Sequence, residues 1–288
     1  MATTVERHEP DIPVSDRGLE RLGKSLDRDI ASATTDPDEL GGALSTALIL
    51  LGARCVSDPT ANKLETWESV VAAMQVSSAL FATANAEPGA EVECRIAGEV
   101  RTLPGTGPNR HTDAGNWLTA FWLAVVCRDT ARLDLLAATP LDLLRASGAQ
   151  YEAFVYDWVD ALRTYWSEGD GLADKIQAAI VGSDPEVATS VSRDLLLKIL
   201  YPPLPVFYRF VGDEHDEFNA ALLQAVELHK DFFTSGDEDR FRDPTGFVAL
   251  APLALACLAH DAEFPVEVES GYLPEHLVKR SWLGEFPT

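Results

Sequence analysis

Apolar residues recur along this chain at helical spacing much more often than at the alternation of a half-buried strand. Within Thr60–Ala84, Leu64, Trp67, Val71 and Met74 step by three or four residues. Across Thr112–Arg128, Ala114, Trp117, Leu118, Phe121, Trp122 and Val125 form a wide apolar stripe. Tyr151, Phe154, Val155, Trp158, Leu162, Tyr165 and Trp166 give the cleanest helical period, and Phe218, Ala221, Leu222, Ala225, Leu228 and Phe232 mark another. Phe247–His260 is apolar almost all round, which predicts a central buried helix. Helix starts are written by capping chemistry: Ser15 or Asp16, then Asp36-Pro37 for a helix to about Cys55, and Asp58-Pro59 before the long helix. Thr139-Pro140 opens a short helix, and Asp184-Pro185-Glu186 predicts one that ends near Tyr201, before Pro202-Pro203.

The period switches once. In Glu91–Leu103, Val92, Cys94 and Ile96 alternate with charged residues, Ala97-Gly98 interrupts, and Val100 and Thr102 follow. This predicts a short β-hairpin. Val266–Glu269 alternates and reads as one short strand. The fold class is therefore mainly all-α: a multi-helix bundle or irregular stack of helix pairs, with one short hairpin near residues 91–103. Tyr151–Val181, with Gly169 and Gly171 at the turn, resembles a single helix-turn-helix unit, but no period repeats elsewhere. Residues 1–14, with Pro10 and Pro13, read as a flexible tail, and residues 15–288 as a single helical domain.

Charge narrows the partners. The 288 residues carry 46 Asp plus Glu against 23 Lys plus Arg, a net charge of -23. That field repels nucleic acid and anionic membranes and attracts a basic protein. No C-x-x-C pair joins Cys55, Cys94, Cys127 and Cys257, so buried free thiols in a reducing compartment are expected. Met1–Asp11 has no apolar core of a signal peptide, and the apolar runs Ala43–Ala53 and Phe247–Ala259 are short for a bilayer span. A soluble, cytoplasmic protein with no membrane and no nucleic-acid partner is the expectation.

Chemistry is sparse. Gly18–Ser25 matches the phosphate-loop pattern G-x-x-x-x-G-K-S, but no strand precedes it and Leu19, Glu20, Arg21 and Leu22 favour helix. No two of the six histidines lie four residues apart, no H-E-x-x-H or G-x-S-x-G occurs, and no metal site or cofactor is expected. Asp213, Glu214, Asp216 and Glu217 form one acidic cluster around His215, and Asp237, Glu238 and Asp239 a second. Both suit ordinary solvated helix ends; they also suit one acidic face that grips a basic partner. Arg110, His111, Asn116, Trp117 and Trp122 suggest an alternative, a small-molecule pocket of polar groups beside tryptophans. The plainer account of that segment is a Thr112 or Asp113 helix cap over core tryptophans.

Several stretches together carry a resemblance: Leu64–Gln75 (LETWESVVAAMQ), Glu93–Glu99 (ECRIAGE), Asp113–Asp129 (DAGNWLTAFWLAVVCRD), Asp194–Pro203 (DLLLKILYPP) and Phe264–Pro274 (FPVEVESGYLP). They resemble the immunity protein 49 family, found in actinobacteria such as Streptomyces, from about residue 35 to the C-terminus. The resemblance implies a helical protein that binds and neutralises a cognate bacterial toxin by occlusion, the toxin domain being a basic one on the charge argument. It brings no catalytic residues with it and favours a binding protein over an enzyme. The alternative it leaves is a helical small-molecule-binding or biosynthetic protein with the aromatic pocket near Trp117 and Trp122.

Overall fold

The computed structural model describes residues 2–11, 13–236 and 238–284. It is mainly α-helical. In chain order it runs β1 (Thr3–Val5), α1 (Asp16–Ala33), α2 (Leu40–Ser57), α3 (Leu64–Asn85), β2 (Glu91–Ile96), β3 (Glu99–Pro104), α4 (Ala114–Cys127), α5 (Thr130–Ala138) and α6 (Leu141–Ala146). Then come α7 (Ala153–Trp166), α8 (Leu172–Gly182), α9 (Arg193–Leu195) continuing as a π-turn over Leu196–Leu200, α10 (Pro203–Val211), α11 (His215–Thr234), α12 (Glu238–Arg242), α13 (Leu250–Asp261), β4 (Val268–Ser270) and α14 (Glu275–Val278).

Local chemistry explains the helix starts. Ser15 caps α1 by accepting from the Gly18 amide at 3.1 Å, so the phosphate-loop pattern is the first turns of a helix, and Lys24 pairs with Glu20 at 2.6 Å. Asp36 caps a 3-10 turn, Pro37–Glu39, that leads into α2. Asp58 is buried and accepts from the amides of Asn62 and Lys63 and from the Thr66 hydroxyl, at 3.1, 2.9 and 2.7 Å. Its side chain thus organises a loop, and the long helix begins at Leu64 rather than Thr60.

Helix α3 lies at the centre, packed against α2 on one side and α4 on another, with α13 behind α4. Its buried hydroxyls bond back within the helix: Ser78 donates to the Met74 carbonyl at 2.7 Å and Thr83 to Ala79 at 3.0 Å. The hairpin β2–β3 folds onto α3, with Cys94, Ile96 and Leu103 buried. Its two-residue turn has φ of 53° at Ala97 and 80° at Gly98, the left-handed pair a tight hairpin needs. Gln75 of α3 accepts from the Ala97 amide at 2.8 Å and pins that turn.

Three expectations need correction. The N-terminal segment is packed rather than a free tail. Thr3–Val5 pairs in parallel with Val268–Ser270, Arg7 donates to the Cys55 carbonyl at 2.6 Å, and His8 is buried with Nδ1 2.7 Å from the Tyr272 hydroxyl. Strand pairing supplies the backbone partners that the short polar stretch lacks by itself. Secondly, residues 185–192 are turn and irregular; the helix starts at Arg193, capped by Ser192, whose side chain accepts from the Leu195 amide. Thirdly, the two apolar runs sit in longer helical stretches. Pro37–Ser57 and Pro244–Asp261 reach the length and hydropathy of a membrane span, but 56% and 61% of those windows are buried inside the fold, as befits core helices. Helices α5, α10, α12 and α14 lacked a sequence expectation; α10 opens on Pro203, where a missing amide costs nothing.

Candidate functional site

Two places could carry function: the acidic ends of α11, and a cavity against the middle of the same helix. The first acidic cluster crosses from α10 into α11. Asp213 has a left-handed φ of 58° just past the end of α10 and sits 3.2 Å from the His215 ring. Glu214 is paired with Arg209. Asp216 and Glu217 are exposed in the first turn of α11, where the unbonded amides favour negative charge. At the other end, Glu238 pairs with Arg242 at 3.2 Å and Asp239 is exposed. Asp237 lies outside the described residues. The 20 residues of α11 separate these clusters by about 30 Å. They therefore do not merge into a compact acidic face, because a rigid helix stands between them. Between the ends, Asp194 takes Lys198 at 2.7 Å and Arg240 at 2.5 Å, and Lys198 also reaches Asp231 at 2.8 Å. Hydrogen bonds from Lys198 and Arg240 hold the Asp194 carboxyl below its usual range.

The polar segment before α4 is occupied with capping. Asp113 accepts from the Asn116 amide at 3.0 Å and from the Tyr151 hydroxyl at 2.8 Å. Asn116 donates to the His111 carbonyl at 2.8 Å, and Arg110 lies 2.9 Å from the His111 ring. His111 packs so closely on Gly41 that a Cβ there would lie 2.3 Å from the ring. Trp117 is fully buried, stacked on Phe121 at 5.1 Å, with its indole N–H donating to the Leu136 carbonyl at 3.0 Å. Of the five residues suggested as a pocket, only Trp122 lines a cavity.

That cavity, about 360 Å³, lies on the opposite stripe of α4. Gly115, Leu118, Thr119 and Trp122 recur at i, i+3, i+4 and i+7 and share that stripe. Leu48, Leu51 and Gly52 of α2 face it, as do Phe154, Val155 and Trp158 of α7. Ala225, His229 and Phe233 of α11, the Lys198–Leu200 turn and the start of α13 complete it. Trp122 and Trp158 are tilted neighbours 6.0 Å apart. His229 holds its Nε2 2.8 Å from the Gly246 carbonyl, and burial lowers its pKa to about 4, so it is neutral near pH 7. Its ring also meets Tyr272 edge-on at 5.0 Å, which links the cavity wall to His8. The sequence holds no local signal for this site, because its walls come from helices far apart in the chain.

The cysteines are not activated nucleophiles. All four cysteines are free and buried. Burial pushes Cys55 up to about 12 and Cys94 and Cys257 to about 11, and raises Cys127 further, so none is a thiolate at neutral pH. Among the described residues, no three His, Cys, Asp or Glu side chains converge as a metal site.

Comparison with curated proteins and with solved structures returned no match. A family comparison does match, and it covers α3 through α14: the model of immunity protein 49 matches residues 58–277, starting later than residue 35 and stopping short of the C-terminus. The stretches that suggested the resemblance all lie inside those bounds, and on that match the chain belongs to the immunity protein 49 family.

Proposed function

We propose that this protein binds a cognate toxin domain in the cytoplasm and neutralises it by occlusion, without catalysis. The observation that carries this reading is the family match over residues 58–277. Two features support it. The cysteines are too buried and too weakly acidic to act as nucleophiles. The net charge of -23 suits a basic partner. A toxin domain that works on nucleic acid needs a basic surface to grip phosphate, and an acidic protein steered onto that surface blocks it. Because the two clusters stand about 30 Å apart along α11, one toxin domain reaches both only by lying along the helix.

Co-expression with a toxin encoded beside the gene tests this. Protection should survive replacement of any single histidine or serine. Reversing Asp213, Glu214, Asp216 and Glu217 to lysine, or Glu238 and Asp239, should each slow association, and the wild-type rate should fall as salt rises. Full protection by a protein reversed at both ends would remove the acidic-surface mechanism. Failure to bind any neighbouring toxin would remove the immunity reading itself.

A further inference from the structure

The cavity beside α11 has no role in occlusion by acidic residues, and its construction points to a ligand. Protein interiors leave few voids larger than a water molecule, yet here about 360 Å³ stays open, within the range of small-molecule sites. Small residues leave the space: Ala225 on α11 and Ala251 on α13 both face it. The half-buried Leu48, Leu118, Leu200 and Leu250 keep apolar surface uncovered along it. One wall is the π-turn Leu196–Leu200 followed by Pro202-Pro203, a local irregularity of the sort that helices retain at functional sites.

The polar groups in the wall define what fits. Thr119 donates to the Gly115 carbonyl at 3.0 Å. Lys198 is already held by Asp194, Asp231 and Ser235, at 2.7, 2.8 and 3.1 Å, so its charge is balanced and offers no net attraction to an anion. A charged ligand would lose its water without gaining a counter-charge. His229 differs from these. With its Nε2 proton given to Gly246, the neutral ring keeps Nδ1 as an acceptor with no protein partner, on a residue 92% removed from solvent.

We propose that the cavity binds an uncharged, hydrocarbon-rich small molecule bearing one hydrogen-bond donor, with the donor meeting Nδ1 of His229 and the apolar body lying against Trp122 and Trp158. This stands apart from the toxin-binding reading and can fail or succeed without it.

A matched pair of dyes tests it on the full-length protein. N-phenyl-1-naphthylamine is neutral with one N–H donor; 8-anilinonaphthalene-1-sulfonate adds a negative charge to the same frame. The neutral dye should bind saturably, one per chain, and quench tryptophan fluorescence through Trp122 and Trp158. The sulfonate should bind at least about tenfold more weakly, as an uncompensated charge demands. Leu118→Trp should abolish binding by filling the cavity; Thr119→Phe fills it from the neighbouring position and serves if Leu118→Trp does not fold. His229→Leu keeps an apolar wall without the acceptor and should weaken the neutral dye about tenfold, the worth of one hydrogen bond. The proposal is overturned if the neutral dye does not bind, if the sulfonate binds as tightly, or if binding persists in whichever filled variants fold.

Discussion

Two identical substitutions ten residues apart on α2 should have opposite effects. At Gly52 a Cβ would lie 1.9 Å from the Pro244 carbonyl oxygen and 2.5 Å from its carbon. Ordinary contact distances are about 3.5–4.0 Å, so the 3-10 turn Pro244–Phe247 would have to retreat by about 2 Å. That turn is not free to move. Asp243 caps it through the Thr245 amide at 2.9 Å, its Gly246 carbonyl accepts from His229, and a Cβ at Gly246 would already meet the Phe233 ring at 2.4 Å. Overpacking of this kind costs about 3 kcal/mol when backbone opposes backbone, the upper part of the usual range. Replacing glycine inside a helix returns about 1 kcal/mol. Gly52→Ala should therefore lose about 2 kcal/mol and about 3–4 °C in Tm. Gly42 is exposed, and a Cβ there meets only the Glu39 carboxylate at 3.9 Å. Gly42→Ala should keep the helix gain and raise Tm by about 2 °C. Scanning calorimetry on both variants decides the matter. Gly52→Ala at or above wild-type stability would show that the close approach of α2 and the turn is wrong.

Other expectations follow from single networks. Asp58→Ala removes the acceptor for two amides and the buried Thr66 hydroxyl, and urea unfolding should show a loss of about 2–4 kcal/mol, with Asp58→Asn losing less. Arg128 joins Asp261 at 3.0 Å to the Leu277 and Val278 carbonyls at 2.7 and 2.9 Å; Arg128→Ala should cost about 3 kcal/mol and open residues 275–284 to limited proteolysis. His229 is neutral when folded, with a pKa of about 4, but takes a proton at about 6.5 when unfolded. The unfolded chain thus binds more protons between those values, so stability should fall by about 3 kcal/mol as pH drops from 6.5 to 4. Burial lowers His8 in the same direction, so His229→Gln should flatten the profile without abolishing its slope.

The helices were legible where one stripe of side chains decides the matter. The Tyr151–Trp166 period became α7, and the Ala97-Gly98 break became a tight turn because only left-handed backbone closes a two-residue hairpin. Asp184-Pro185-Glu186 misled because a capping signal states where a helix can begin, not that packing will extend it. The N-terminal strand was hidden because its partner is some 265 residues away, and three residues carry no period to read. At the sites the limit is similar. Acidic clusters are visible as composition, but their separation by the length of α11 is not. Tryptophans announce burial without saying which stripe they take: Trp117 turns into the core, and Trp122, five residues on, reaches the cavity.

The bounds of the family match bear on how the two candidate sites are related. Both acidic ends of α11 fall within residues 58–277, as do the α4, α7, α11 and α13 walls of the cavity. The α2 wall does not: Leu48, Leu51 and Gly52 precede the matched stretch. Yet Gly52 is where α2 touches the turn that carries Thr245 and fixes His229 through Gly246. The matched body alone would lack that wall, and a ligand there would bury less of its apolar surface. One wall of the cavity therefore comes from a helix that the family match does not include. Changes in α2 can alter what the cavity admits while leaving both ends of α11 as they are, so the ligand binding and the toxin binding proposed above are physically separable.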